Sequence, residues 1–194
     1  MKFLLVRHGE TVFNIQHKTQ GWCDSPLTTK GIEQAKELAE KLKDINIDHA
    51  YCSSSERTID TAEIILKNRN IDLITDRRLK ELNYGLYEGS IEGVKESYIE
   101  SSNMVGRDFT NVGGENTQML VLRFSECINE IIKKYPDDCT VLIVSHGAAI
   151  YRFLNDFVFQ KANDVQIHKE YMINNCEVKV LNYHQGVFSL EDRL

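Results

Sequence analysis

The chain has 194 residues, of which 42% are hydrophobic and 27% charged, and its formal net charge at pH 7 is −6. This length suits one domain of about 150 to 200 residues with a sizeable core, so a single domain over 1–194 is expected. The acidic balance argues against a nucleic-acid or anionic-membrane footprint and confines any anion site to a small local pocket.

The chain opens on an apolar run, Phe3 to Val6, that stops at Arg7-His8-Gly9. A buried strand delivering an arginine and a histidine at its carboxyl end is the reading, and in open α/β sheets ligands bind at that end. Val12 to Pro26 is polar and turn-rich. Thr28 or Thr29 can then cap a helix carrying Ile32, Ala35, Leu38, Ala39 and Leu42 at helical spacing. A strand over His49–Cys52, a helix from the Ser53–Ser55 caps to about Asn68, and a strand over Ile71–Thr75 follow. Strands alternating with helices predict an α/β fold, a mostly parallel sheet with helices on both faces.

Residues 82–112 loosen into Tyr, Gly, Ser, Asn and acids, with one short helix near Gly93 to Glu100, and read as a small cap segment. A long helix is predicted from about Asn116 to Tyr135, with Leu120, Phe124, Cys127, Ile128 and Ile131 on one stripe. Thr140–Ser145 has the pattern of a buried strand, and His146-Gly147 at its end leads into a helix over about Ala148 to Phe157. Cys176–Tyr183 and Val187–Leu190 form a closing hairpin about His184, Gln185 and Gly186, read as informative about packing only.

In a parallel sheet the strand ends share one edge. Arg7, His8, Arg57 and His146 can therefore converge on one small volume, which suits a phosphate because arginine forks match its oxygens. Phosphoryl transfer needs little beyond positioning and charge stabilisation. Ser145-His146-Gly147 lacks the glycine that a serine-hydrolase elbow would need at Ile143, and no nucleotide-binding Gly-x-x-x-x-Gly-Lys loop is present. The remaining histidines, His17, His49, His168 and His184, have no metal-ligand spacing, although His17 can border the pocket.

Several motifs in register carry a resemblance: Arg7-His8-Gly9-Glu10-Thr11 with Asn14; Gly21, Trp22 and Asp24 to Thr28, with Gly31; Ser53, Ser54, Arg57, Thr58, Thr61 and Ala62; Glu81 ahead of Gly85, Tyr87, Glu88 and Gly89; Gly113-Gly114-Glu115; and Val144 to Gly147. Over residues 2 to 150 the chain resembles the histidine phosphatase superfamily, also called phosphoglycerate mutase-like, and within it the shorter, cofactor-independent phosphatase branch. The resemblance implies a phosphohistidine mechanism. His8 would be the nucleophile, and Arg7, Arg57 and His146 would hold the phosphoryl oxygens with Asn14. Glu81 would be the proton donor and acceptor, with Glu88 its nearest competitor. Gln20 and Gly21 would meet the phosphate or the leaving group, Gly147 would open a helix toward it, and Ser53 and Glu115 would stand behind.

The expected reaction is hydrolysis of a small-molecule phosphomonoester without a metal or other cofactor. The alternatives are mutase-type phosphoryl transfer and a non-catalytic phosphate-binding or interaction module. The cap carries two cations, Lys95 and Arg107, against five acids, Glu88, Glu92, Glu96, Glu100 and Asp108, which favours a neutral or modestly polar leaving group. Tyr84, Tyr87, Tyr98 and Phe109 can pack on that group or belong to the core. Five cysteines, Cys23, Cys52, Cys127, Cys139 and Cys176, include no Cys-x-x-Cys pair, which fits reduced thiols and a cytoplasmic location. No apolar stretch approaches the roughly 18 residues of a membrane span.

Overall fold

The computed structural model describes residues 1–94, 108–161 and 168–191. Six strands form one sheet in the order β3-β2-β4-β1-β5-β6, where β1 is Lys2–Arg7, β2 His49–Ser53, β3 Leu73–Asp76, β4 Thr140–Ser145, β5 Val178–His184 and β6 Val187–Glu191. The first four are mutually parallel, and β5 and β6 run antiparallel at one edge.

Strand alternation explains why helices are needed on both faces. Phe3, Leu5, Val141 and Ile143 point to one side, where α4 (Thr117–Lys134) covers them with Leu120, Phe124 and Ile128. Leu4, Val6, Leu142 and Val144 point to the other, where α2 (Thr29–Lys41) supplies Leu38 and α3 (Glu56–Leu66) supplies Ala62 and Ile65. Thr28 caps α2 by accepting from Gly31 N–H, and Asn116 caps α4 by accepting from Met119 N–H. Ile32 departs from the expected apolar stripe of α2: it is 37% exposed.

The polar stretch after β1 contains a helix that was not expected, α1 (Val12–Ile15). Its Thr11 side chain accepts from Asn14 N–H while the Asn14 side chain accepts from Thr11 N–H, a capping box. The helix after β4 is shorter than predicted: α5 (Gly147–Arg152) gives way to a π-helical turn over Phe153–Val158. The hairpin turns on Gln185 and Gly186, both at positive φ (48° and 86°), the conformation of a two-residue primed turn. Only Gly93 and Val94 of the helix predicted near 93–100 lie within the described residues, and Tyr98 lies outside them. Phe109 is core, packed edge-on against Tyr84 at 5.1 Å.

Candidate active site

Strand order decides where the chemistry collects. β4 lies between β1 and β2, with Arg7 level with Ser145 and Cys52 level with Val144. The carboxyl ends of these strands are therefore neighbours, and they open on a cavity of about 590 Å³. Arg7, His8, Asn14, Gln20, Glu81 and Gly147 line it, together with Lys18, Thr19, Tyr84, Glu92, Ala148, Tyr151, Arg152, Met172 and Ile173. His17 does not.

His8 is 4% exposed. Its Nδ1 lies 2.8 Å from the Gly9 carbonyl, which can only accept, so Nδ1 carries the proton and Nε2 keeps its lone pair. Burial, then Arg57 and Arg7, push its pKa well below the ordinary histidine value, so the ring is neutral. Beside it Arg7 spends Nη1 on the Ile173 carbonyl (3.1 Å), while its buried Nε has no partner. A Cβ on Gly147 would stand 3.3 Å from that Nε, so glycine lets the guanidinium lie against the start of α5.

Arg57 and His146 are brought to the same place but stay behind the cavity wall, each wholly buried. Arg57 donates to Asp24 Oδ1 (2.8 Å), the Cys23 carbonyl (3.1 Å), the Gly21 carbonyl (2.9 Å) and His146 Nδ1 (2.9 Å). Since a guanidinium only donates, His146 accepts at Nδ1, and its Nε2–H is left to donate to Ser53 Oγ at 2.8 Å. The rings of His8 and His146 meet edge-on at 5.3 Å. Burial and then Arg57 also depress the His146 pKa. As placed, this second pair offers the cavity no free ring N–H.

The two candidate acids divide cleanly. Glu81 lines the cavity, its carboxylate accepting from Leu82 N–H and Ala148 N–H, both at 2.9 Å. Arg123 fastens the backbone beneath it, donating to the carbonyls of Arg78, Lys80 and Glu81 while paired with Glu115. Glu88 instead accepts four backbone N–H groups, from Gly21, Trp22, Cys23 and Tyr84, and does not reach the cavity. It clamps the 21–23 loop whose carbonyls hold Arg57. Gly21, expected at the phosphate, therefore gives its N–H to Glu88 and its carbonyl to Arg57. Gln20 lines the cavity with its amide held by Thr11 Oγ1 (2.7 Å) and Ser25 Oγ (3.0 Å).

Sequence reasoning missed the segment before β5. Ile173 holds Arg7, and Asn175 Nδ2 donates to the His8 carbonyl (2.9 Å) and to Asn14 Oδ1 (3.4 Å). Thr11 N–H occupies the same Asn14 oxygen, which turns the Asn14 NH₂ outward as a donor. The signal available was weak: Asn174 and Asn175 stand ahead of the strand expected from Cys176, and that strand begins only at Val178, with Cys176 at φ 52° and its N–H meeting the Arg7 carbonyl at 2.9 Å. The acidic count for the cap also fails as a description of the cavity. Glu88 is spent on backbone and Asp108 on Thr110, so of the acids in that count within the described residues only Glu92 lines it; Lys95, Glu96, Glu100 and Arg107 lie outside those residues.

The sequence profile of the histidine phosphatase superfamily (branch 1) matches residues 3–193. The chain belongs to that family. A protein of Proteus mirabilis (strain HI4320) named probable phosphoglycerate mutase GpmB is 33% identical over 190 residues, 96% of this chain and 86% of its own length. The fold is that of phosphoglycerate mutase from Bacillus anthracis str. Sterne, with a TM-score of 0.85 at 27% identity over 98% of this chain and 91% of that one. A putative alpha-ribazole-5'-P phosphatase from Escherichia coli K-12 superposes with a TM-score of 0.84 at 25% identity, covering 98% and 94%. The superfamily contains phosphatases and mutases that work through phosphohistidine. Among the described residues, no helix is long and apolar enough to cross a membrane.

Proposed function

We propose that this histidine phosphatase chain is one catalytic unit that hydrolyses a small-molecule phosphomonoester through phospho-His8. The observation that carries this reading is His8 itself: a neutral imidazole at the cavity, its Nδ1 proton held by the Gly9 carbonyl and its Nε2 lone pair unspent beside Arg7. Nε2 attacks phosphorus, the ester P–O bond breaks, and the departing alkoxide takes the proton of a protonated Glu81. Glu81 carboxylate then takes a proton from water, whose oxygen displaces Nε2 from phosphorus and restores the imidazole. Arg7 and the Asn14 NH₂ meet the phosphoryl oxygens, Arg57 and His146 add a fixed positive field from behind, and Ala148 N–H holds Glu81 in line. Because arginine supplies the charge stabilisation, turnover is expected without a metal ion. The five cysteines are all unpaired, which supports a cytoplasmic location.

The test is phosphate release from a panel of phosphomonoesters in EDTA, with wild type and His8→Ala side by side. Wild type should turn over and His8→Ala should fall at least about 10³-fold, to background. Loss of activity in EDTA that Mg²⁺ restores would overturn the metal-free mechanism. The names of the relatives favour one rival, mutase transfer; interconversion of 3- and 2-phosphoglycerate faster than phosphate release would install it instead. A wild type that binds vanadate yet hydrolyses nothing would favour a binding module.

A further inference from the structure

Behind the cavity wall, β3 leads through a 3-10 turn over Arg77–Leu79 to Glu81. Its three cations are not alike. Arg78 is saturated by Asp76 and Glu130. Arg77 and Lys80 make no side-chain hydrogen bond or ion pair among the described residues, and neither lines the cavity. Lys80 N–H closes the turn on the Arg77 carbonyl at 3.2 Å. Side chains three apart in such a turn eclipse one another, so Arg77 and Lys80 share a side. Both lie over the ring of Trp22, Arg77 Cζ at 5.8 Å and Lys80 Nζ at 5.2 Å from its centroid.

This arrangement is braced from beneath. Trp22 gives its backbone N–H to Glu88 at 2.8 Å and its indole N–H to the Glu81 carbonyl at 3.0 Å, while Arg123 donates to the carbonyls of Arg78 and Lys80 at 2.8 and 2.6 Å. An aromatic face steadies a cation without consuming its N–H donors. Two like charges are thus gathered on a fixed base with their donors unspent, the state an anion would complete. Asp24, in the same loop as Trp22, does not complete it: its oxygens accept from Arg57 Nη1 at 2.8 Å and Glu56 N–H at 2.6 Å. Burial pushes the Lys80 pKa down, and Arg57 and Arg123 add to burial against Asp24 and Glu88, an imbalance that a further anion relieves.

We propose that Arg77 and Lys80, seated on Trp22, bind a phosphate dianion outside the cavity, as an effector site distinct from the one where His8 stands. A phosphoryl group carries about −1.5 to −2 at pH 7, which two cations match, and an arginine fork beside a lysine ammonium supplies donors to its oxygens. The site shares its frame with the reacting groups. Trp22 belongs to the loop whose carbonyls hold Arg57, its indole fixes the backbone of Glu81, and Lys80 is one of the charges that, after burial and Arg57, lower the His146 pKa. An anion on Lys80 therefore weakens the positive field behind His146.

Trp22 is the single tryptophan of the chain, so its emission reports this site directly. Inorganic phosphate is titrated at constant ionic strength into wild type, Arg7→Ala, Arg77→Gln, Lys80→Gln and the double variant carrying both Gln substitutions, with calorimetry alongside and with methylphosphonate and sodium chloride as the other titrants. Wild type should show a saturable change in emission with a Kd of about 1 mM, the affinity that two charge-assisted hydrogen bonds supply. Arg7→Ala, which removes a cation from the cavity, should keep that change and its heat. Each Gln variant should raise Kd about tenfold, and the double variant should lose the response. Methylphosphonate binding as well as phosphate assigns the ligand as the phosphoryl group of a larger molecule, and a response to phosphate alone assigns the free ion. The proposal is overturned if wild type shows neither emission change nor heat, if Arg7→Ala loses both, if the double variant keeps them, or if chloride reproduces them. No turnover is involved, so a protein inert to every ester would sink the hydrolase reading while these titrations still decide the effector site.

Discussion

The molecule contains two arginine–histidine pairs built from the same residue types at the same sheet edge, and they are not equivalent. Arg7 and His8 line the cavity with the imidazole Nε2 unspent; the Arg7 Nε is unpartnered but buried, as the Arg57 Nε is. Arg57 and His146 are walled off with four acceptors around one and both ring nitrogens of the other engaged. On the proposed mechanism the first pair touches the phosphoryl group and the second sets the field in which the first works, Arg57 being the leading charge that lowers both histidine pKa values. What distinguishes them is the neighbours: Asp24 and the carbonyls of Gly21 and Cys23, presented by the loop that Glu88 clamps.

The largest effect is expected where proton transfer is removed from the open side. Glu81→Gln should lower kcat by about 10²- to 10⁴-fold, with little loss of vanadate affinity. Glu88→Gln should do the opposite. An amide cannot accept four N–H groups, so stability should fall by about 3 kcal/mol while the pH profile of the remaining activity keeps its shape. Were Glu88→Gln to abolish turnover at an unchanged Tm, the two acids would have to exchange roles.

A crossed pair of substitutions tests the division directly. Arg7→Ala should cost about 10²-fold or more in kcat/KM with a modest change in urea midpoint. Asp24→Ala strips the carboxylate from a wholly buried guanidinium, and breaking such a pair costs about 3 kcal/mol. Its specific activity per folded molecule should suffer less than that of Arg7→Ala. Equal patterns in both proteins would mean the pairs are not functionally distinct.

The sheet, its parallel character and the convergence of the strand ends could be read from the sequence because they follow from period and order: apolar runs over Phe3–Val6 and Thr140–Ser145 that each end in His-Gly. Exposure could not be read. Arg57, in the first turn of α3, has the local sequence of a solvated residue, and only the loop from residue 21, contributed by a distant part of the chain, encloses it. The same holds for Glu81 and Glu88, chemically identical and seven residues apart, which only tertiary contacts with Ala148 and with Gly21 to Cys23 tell apart. Asn175 and Ile173 were invisible for a related reason: their partners Arg7 and His8 lie more than 160 residues away.

The pH dependence of stability sharpens the comparison on a smaller scale. Both histidines titrate below the ordinary value when folded, burial being the first cause and Arg57 the second. Below about pH 6.5 the unfolded chain binds protons that the folded chain refuses. Stability is therefore complete above about pH 6.5 and declines as pH falls, by up to about 1.4 kcal/mol per pH unit for each histidine. Urea midpoints between pH 7 and 5 should fall less steeply for His8→Asn than for wild type, and less steeply again when His146→Asn is added. Parallel curves for all three proteins would show that neither ring is held neutral.

The smallest expected effect concerns how the open pair is kept open. Asn175 donates to the His8 carbonyl and, more weakly, to Asn14 Oδ1, so it ties the end of β1 to the amide that faces the cavity. Asn175→Ala leaves every proposed reacting group in place but frees the Asn14 amide to rotate, with Thr11 N–H its remaining restraint. One neutral hydrogen bond of this kind is worth about 1 kcal/mol, so KM for the phosphoryl group should rise several-fold. In the proposed mechanism the proton transfer by Glu81 does not pass through Asn14, so kcat should change less than KM. Asn175→Asp sharpens the point, because a carboxylate cannot donate to the His8 carbonyl or to Asn14 Oδ1 and places a negative charge beside the incoming phosphate. It should weaken vanadate binding more than Asn175→Ala does, and an Asp variant that binds vanadate as well as wild type would remove Asn175 from the support of the phosphoryl site.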